Sequence, residues 1–314
     1  MHIVNRGSTY NTVRGTIAFH YNALHLRGMA RVKATLGSQA SLQKTVDEFN
    51  AKRVVLTVTA GRTGTDSLNH LFRHLPDTHA SHEPNPNHRF ILARVQHDPV
   101  LAARFFWYLQ APSIVSRAGS HVVESSHLFC KGFFEPCIAA GFRPALVMLQ
   151  RDTRTTALSH QRKHAVPGRT GAGHRYLIAP TDRPYLKVDA PESLTDYQLC
   201  YWYCLEIELR QKLYSEIASE LGMPIFTMQT KQLSDVEKLV EACVALGLAD
   251  AGNARQALEK AGVGTAHNAT TAQSKSRELN FDPAAEEDAL HARLQEPAGL
   301  DEVRRRIEEA KRLI

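Results

Sequence analysis

Gly61, Arg62, Thr63, Gly64, Thr65, Asp66 and Ser67 combine two glycines, a cation and three hydroxyls, the residue types with which a chain holds a phosphate-like anion. Before them Val54 to Val58 is a largely β-branched apolar run. After them Leu68, Leu71, Phe72 and Leu75 recur at helical spacing, so the segment is predicted as strand, loop and helix. At such a junction the N–H groups and positive dipole end of the helix face the anion, and glycine lets the backbone come close to it. The lysine of the nucleoside-triphosphatase loop G-x-x-x-x-G-K-[ST] is missing, and Arg62 supplies the loop's cation instead.

A second constellation repeats this plan. Pro144 to Gln150 reads as an apolar strand, Arg151 stands at its end, and Ser159 follows eight residues later, about two turns into a helix that Thr153 is expected to cap. The two constellations, in this order and about ninety residues apart, resemble those of the sulfotransferases that use 3′-phosphoadenosine 5′-phosphosulfate (PAPS). The likeness, to a bacterial-type member, covers roughly residues 53–248.

That resemblance implies an α/β fold, a parallel β-sheet flanked by helices of the P-loop-NTPase-like sulfotransferase type. It implies PAPS as donor, its product adenosine 3′,5′-bisphosphate, and no metal. Arg62 falls where cytosolic members carry a lysine on the 5′-phosphate, and Thr63, Gly64 and Thr65 match the Ser-Gly-Thr that follows. Arg151 and Ser159 match the pair that holds the 3′-phosphate. Asp66 and Ser67 depart from the Thr and Trp of those enzymes. Lys275 and Arg277 stand in for a late basic segment there, although its Arg-Lys-Gly is missing.

Sulfuryl transfer also requires a group that takes the proton of the attacking hydroxyl. In the Pro/Asn-rich stretch from Pro76 to His88, His82-Glu83-Pro84 resembles the Glu-Pro element of carbohydrate sulfotransferases, which makes Glu83 the first candidate base and His82 the second; Glu124 is a further one. His79, His82 and His88 invite a metal reading, but this chemistry needs no metal. The rival readings are a P-loop-type kinase, for which Asp152 is the one contender to hold magnesium, and a non-catalytic nucleotide-binding protein.

The elements that must position these groups follow from the rest of the chain. Its 314 residues, 43% hydrophobic, suffice for one sizeable α/β domain. No run is apolar for long enough to span a membrane and no secretion signal is evident, so a cytoplasmic location is expected. Five cysteines without C-x-x-C spacing are expected to be buried thiols. The formal charge of +6 resides in residues 1–46, which hold six basic and no acidic residues; an irregular extension is preferred there to a nucleic-acid arm. The expected division is 1–52 as basic extension and short helix, 53–250 as catalytic domain, and 251–314 as linker and surface helix.

Within this frame Phe105 to Tyr108 are expected in the core or an acceptor-pocket wall, residues 168–191 as an irregular lid, and Leu194 to Gly222 as a long core helix. Ser234 is expected to cap the helix after the last strand. The expected partners are a small-molecule or carbohydrate acceptor and no nucleic acid, with a homodimer allowed for.

Overall fold

Five short segments pair side by side into a sheet in which every neighbouring pair is parallel, in the order β2-β3-β1-β4-β5. The computed structural model describes residues 6–263 and 280–314, with side chains from residue 15 onward. The strands are β1 (Arg53–Val58), β2 (Thr78–Ser81), β3 (His121–Glu124), β4 (Ala145–Gln150) and β5 (Ile225–Gln229).

Alternation along the strands divides the core into two layers. Val54, Leu56 and Val58 of β1, with Leu146 and Met148 of β4, face one layer; Val55, Ala145, Val147 and Leu149 face the other. Both faces of a parallel sheet must be covered, because its crossover helices lie on them. The first layer is closed by α1 (Arg6–Leu36), α2 (Gln39–Ala51), α4 (Leu92–Val95), α5 (Pro99–Phe105), α6 (Ala111–Val115), α7 (Phe134–Ala139), α10 (Asp196–Glu220), α13 (Pro283–His291) and α14 (Leu300–Lys311). The second is closed by α3 (Thr65–Phe72), α11 (Val236–Ala245) and α12 (Ala251–Lys260). Phe105, Phe106 and Trp107 are buried in the first layer, as expected for core, the last two entering a π-helical turn at Phe106–Gln110.

Several local expectations are corrected. The extension before β1 is not irregular: it carries α1, held by buried Ala30 and by Phe19 against Phe90, and α2, which starts at a Ser38–Ser41 capping box. Residues 168–191 are not an open lid. They contain α9 (Gly171–Tyr176), and Leu177, Ile178, Tyr185 and Leu186 are driven into the core, where apolar burial anchors them. The charged C-terminal stretch forms two helices whose Leu290, Val303 and Ile307 join the same core. Asp235, not Ser234, caps α11.

The order of strands creates a switch point. After β1 the chain runs to β2 and β3 on one side, then places β4 and β5 on the other, so a crevice opens at the carboxyl ends of β1 and β4. Ligands of open α/β sheets bind in such crevices. Gln211 of α10 clamps it from behind, donating to the carbonyls of Val58 at 2.8 Å and Leu149 at 3.2 Å.

Candidate active site

The loop after β1 owes its shape to three left-handed positions within four residues: Gly61 (φ 80°), Arg62 (φ 60°) and Gly64 (φ 94°). At Gly61 a side chain is excluded twice over, since a Cβ there would lie 2.9 Å from Nδ1 of His127. Gly64 starts α3, and no side chain caps it, which suits a helix end that receives an anion. Buried Thr63 bonds Thr59 through its hydroxyl at 2.6 Å, and its carbonyl accepts from Thr230 Oγ1 at 2.6 Å. Its hydroxyl therefore shapes the loop. Thr65 is buried, Ser67 half-buried and Asp66 exposed in the first turn of α3.

The β4 constellation lies against this loop. Helix α8 (Thr153–Arg162) is capped by Asp152, whose carboxylate accepts from the Thr155 N–H at 2.8 Å; Thr153, the expected cap, bonds Glu208 instead. Ser159 then meets Nε of Arg62 at 3.2 Å, and Arg151 donates to the Arg62 carbonyl at 2.8 Å. Arg62, Arg151 and Ser159 thus form one cationic cluster at the switch point. A cavity of about 320 Å³ opens beside it, lined among others by Thr63, Gln150, Arg151, Thr156 and Gln229.

A third group enters from β2 and β3. Ser81 pairs with Glu124 across these strands, so Glu83 and His127, two and three residues further on, emerge side by side. Glu83 takes a left-handed conformation (φ 45°), its carbonyl accepting from Asn87 at 2.7 Å, and its carboxylate lies 3.1 Å from Nε2 of His127. His127 in turn has Lys131 Nζ 2.6 Å from its Nδ1, and Lys131 also donates to the Tyr176 carbonyl at 2.5 Å. Tyr176 stacks near the His127 ring, so the segment expected as a lid forms a fixed wall of the site.

Electrostatics give these groups distinct states. Burial would raise the pKa of Glu83, but the His127 hydrogen bond and the charges of His127, His82 and Lys131 outweigh it and bring it down to about 2. Burial and the charge of Lys131 push His127 down to about 4, against the pull of Glu83. At neutral pH the pair is a carboxylate and a neutral imidazole. Burial brings Lys131 down to about 7. Glu124, buried and bonded by Gln110 at 2.6 Å, is pushed up to about 7 by the same effect.

Of the residues singled out in the sequence, Gly61, Arg62, Gly64, Arg151, Ser159 and Glu83 line the carboxyl edge of the sheet. His82 turns aside, its Nδ1 donating to the Ser125 carbonyl at 3.0 Å. His88 is buried between Phe105 and Phe133, away from any role as a ligand with His82. Lys275 and Arg277 lie outside the described residues. His127 and Lys131 were not foreseen; the one available signal was their place directly after an apolar strand, where site residues gather in parallel sheets. Tyr203, on the helix expected as core, also holds the Ala60 carbonyl with its hydroxyl at 2.7 Å and so fixes the loop.

Neither a protein-family model nor a curated protein sequence matches the chain. Among the described residues no helix is long and apolar enough to cross a membrane.

Proposed function

We propose that the protein is a sulfotransferase that moves a sulfuryl group from PAPS to a hydroxyl of a small-molecule or carbohydrate acceptor. The observation that carries this reading is the contact of Arg62 with Ser159 and Arg151, which merges two anion-binding constellations into one site suited to a nucleotide with phosphates at both ends. The loop of Gly61 to Ser67 would hold the 5′-phosphosulfate, and Arg151 with Ser159 the 3′-phosphate. The adjoining cavity is of a size that binds small ligands. The loop and the Arg62–Arg151–Ser159 cluster fit this donor in type, with cations, hydroxyls and open backbone; the two carboxylates that line the adjoining cavity, Asp152 and Glu208, are bonded by Thr155 and Thr153.

In this reading Arg62 stabilises charge that grows on the leaving phosphate as the sulfur–oxygen bond breaks. Glu83, its carboxylate 3.1 Å from Nε2 of His127, accepts the proton of the attacking hydroxyl. A kinase is less well supported, because the carboxylate of Asp152 is taken up as the cap of α8. The test is to incubate the protein with PAPS labelled in its sulfur and a panel of hydroxylated acceptors. Labelled sulfate ester, formed together with adenosine 3′,5′-bisphosphate, is the expected result. Transfer of the γ-phosphate of ATP to the same acceptors, without sulfuryl transfer, would replace this reading with the kinase.

A further inference from the structure

We propose that Glu83, His127 and Lys131 form a proton relay in which Lys131 is the final holder of the proton that the acceptor hydroxyl loses. The inference rests on the sulfuryl-transfer reading for the origin of that proton, and on the placement of three side chains, together with what burial does to their proton affinities, for the relay. The three side chains run inward in line: Glu83 at the edge of the site, His127 behind it at 3.1 Å, and fully buried Lys131 behind that at 2.6 Å. Glu83 alone is a weak base, since its proton affinity is low (about 2) and catalysis at neutral pH favours a group that titrates near neutrality.

Lys131 is placed to be that group. A buried ammonium ordinarily needs a bonded carboxylate, and among the described residues Nζ has none: its partners are an imidazole nitrogen and a carbonyl, with the Tyr203 ring 5.1 Å away. The site therefore accommodates both the amine and the ammonium. The ionisable groups around it do not compete near neutrality. Burial holds Cys130 and Cys204 as thiols, Arg210 is ion-paired with Glu206, and burial keeps His160 neutral, at about 3. Glu83 is faced in addition by His82, whose Nδ1 donates to the Ser125 carbonyl, and by His88, which burial brings down to about 3.

Before transfer Lys131 is the amine, neutral His127 carries its proton on Nδ1 towards it, and Nε2 faces Glu83 without a proton. The acceptor O–H bond breaks as its oxygen bonds to sulfur, and the donor's S–O bond breaks with its electron pair left on the 5′-phosphate. The proton lands on Glu83, passes to Nε2 of His127 as the carboxyl turns, and the Nδ1 proton of His127 moves to the Lys131 amine, which becomes the ammonium. Glu83 is a carboxylate again and His127 has exchanged one tautomer for the other. His127 and Lys131 act through Glu83 and are positioning residues in this scheme.

Two measurements test it. The first needs neither donor nor acceptor: with ¹⁵N-labelled histidine, the Nδ1 and Nε2 resonances of His127 in the wild type should change tautomer pattern with a midpoint near pH 7, and in Lys131→Met they should not. A wild-type pattern that stays constant from pH 6 to 9 overturns the relay, whatever the fate of the sulfotransferase assignment. The second is turnover against pH with PAPS and an acceptor found by the screen. Lys131→Met should lose the rising limb near neutrality and about 10²-fold or more in turnover, with affinity for adenosine 3′,5′-bisphosphate unchanged. A mutant that keeps both the limb and near-wild-type turnover shows that Lys131 only anchors Tyr176.

Discussion

Arg62 and Ser159, 97 residues apart in the chain, meet through Nε and Oγ at 3.2 Å. The contact ties the loop after β1 to the helix after β4 and leaves the rest of the Arg62 guanidinium for a ligand. If Arg62 meets charge that develops only as the donor bond breaks, Arg62→Ala should lower turnover more than nucleotide affinity, and Arg62→Lys should restore part of it. Ser159→Ala should do the reverse, weakening adenosine 3′,5′-bisphosphate by roughly 5- to 10-fold with little change in kcat. Isothermal titration and initial-rate measurements separate the two.

Glu83→Gln keeps the side chain's shape and removes its basic oxygen. Turnover should fall about 10²- to 10⁴-fold while the nucleotide still binds. His82→Asn should cost much less, because His82 faces the Ser125 carbonyl. Loss of activity in His82→Asn with activity retained in Glu83→Gln would reverse the two roles.

Gly61→Ala places a Cβ 2.9 Å from the His127 ring at a left-handed backbone position. A destabilisation on the order of 1–3 kcal/mol is expected, together with a loss of turnover, since the displaced ring is the one bonded to Glu83. A denaturant midpoint equal to wild type would show that the loop yields more easily than this packing implies.

Glu124 gives a pH dependence of known sign. Its folded-state pKa, about 7, lies above the unfolded value, so the folded protein binds the extra proton between these limits and loses stability as pH rises through them. Glu124→Gln removes that loss. The variant should gain stability relative to wild type on going from pH 4 to pH 8, by on the order of 3 kcal/mol. Urea unfolding at the two pH values measures it, and a difference independent of pH would mean that Glu124 ionises freely.

The sheet and the two strand–loop–helix constellations were legible because their signals are local: an apolar run, then glycine or arginine, then helical periodicity. β1 and β4 appear where the apolar runs predict them, and the parallel sheet flanked by helices is the expected class. What could not be read depends on register and direction. His127 lies beside Glu83 only because β2 and β3 pair Ser81 with Glu124, and the inward turn of the Thr63 hydroxyl towards Thr59 has no counterpart in spacing. Helix α1 was missed because its sequence is polar and basic with little one-sided apolar pattern; it packs through few side chains, among them Phe19 and Ala30. The segment 168–191 was misjudged because its glycines and prolines suggested an open loop, whereas Leu177, Ile178 and Tyr185 pull it into the core.

The central claim is that one site at the β1/β4 crevice binds a nucleotide by both of its phosphates. Calorimetric titration of adenosine 3′,5′-bisphosphate and adenosine 5′-monophosphate into the wild type and Arg151→Ala tests it most directly. The bisphosphate should bind roughly 10- to 150-fold more tightly to the wild type, the range given by about 1.5–3 kcal/mol for a charge-assisted pair, and Arg151→Ala should abolish the difference. Equal affinities of the two nucleotides for the wild type would contradict the account.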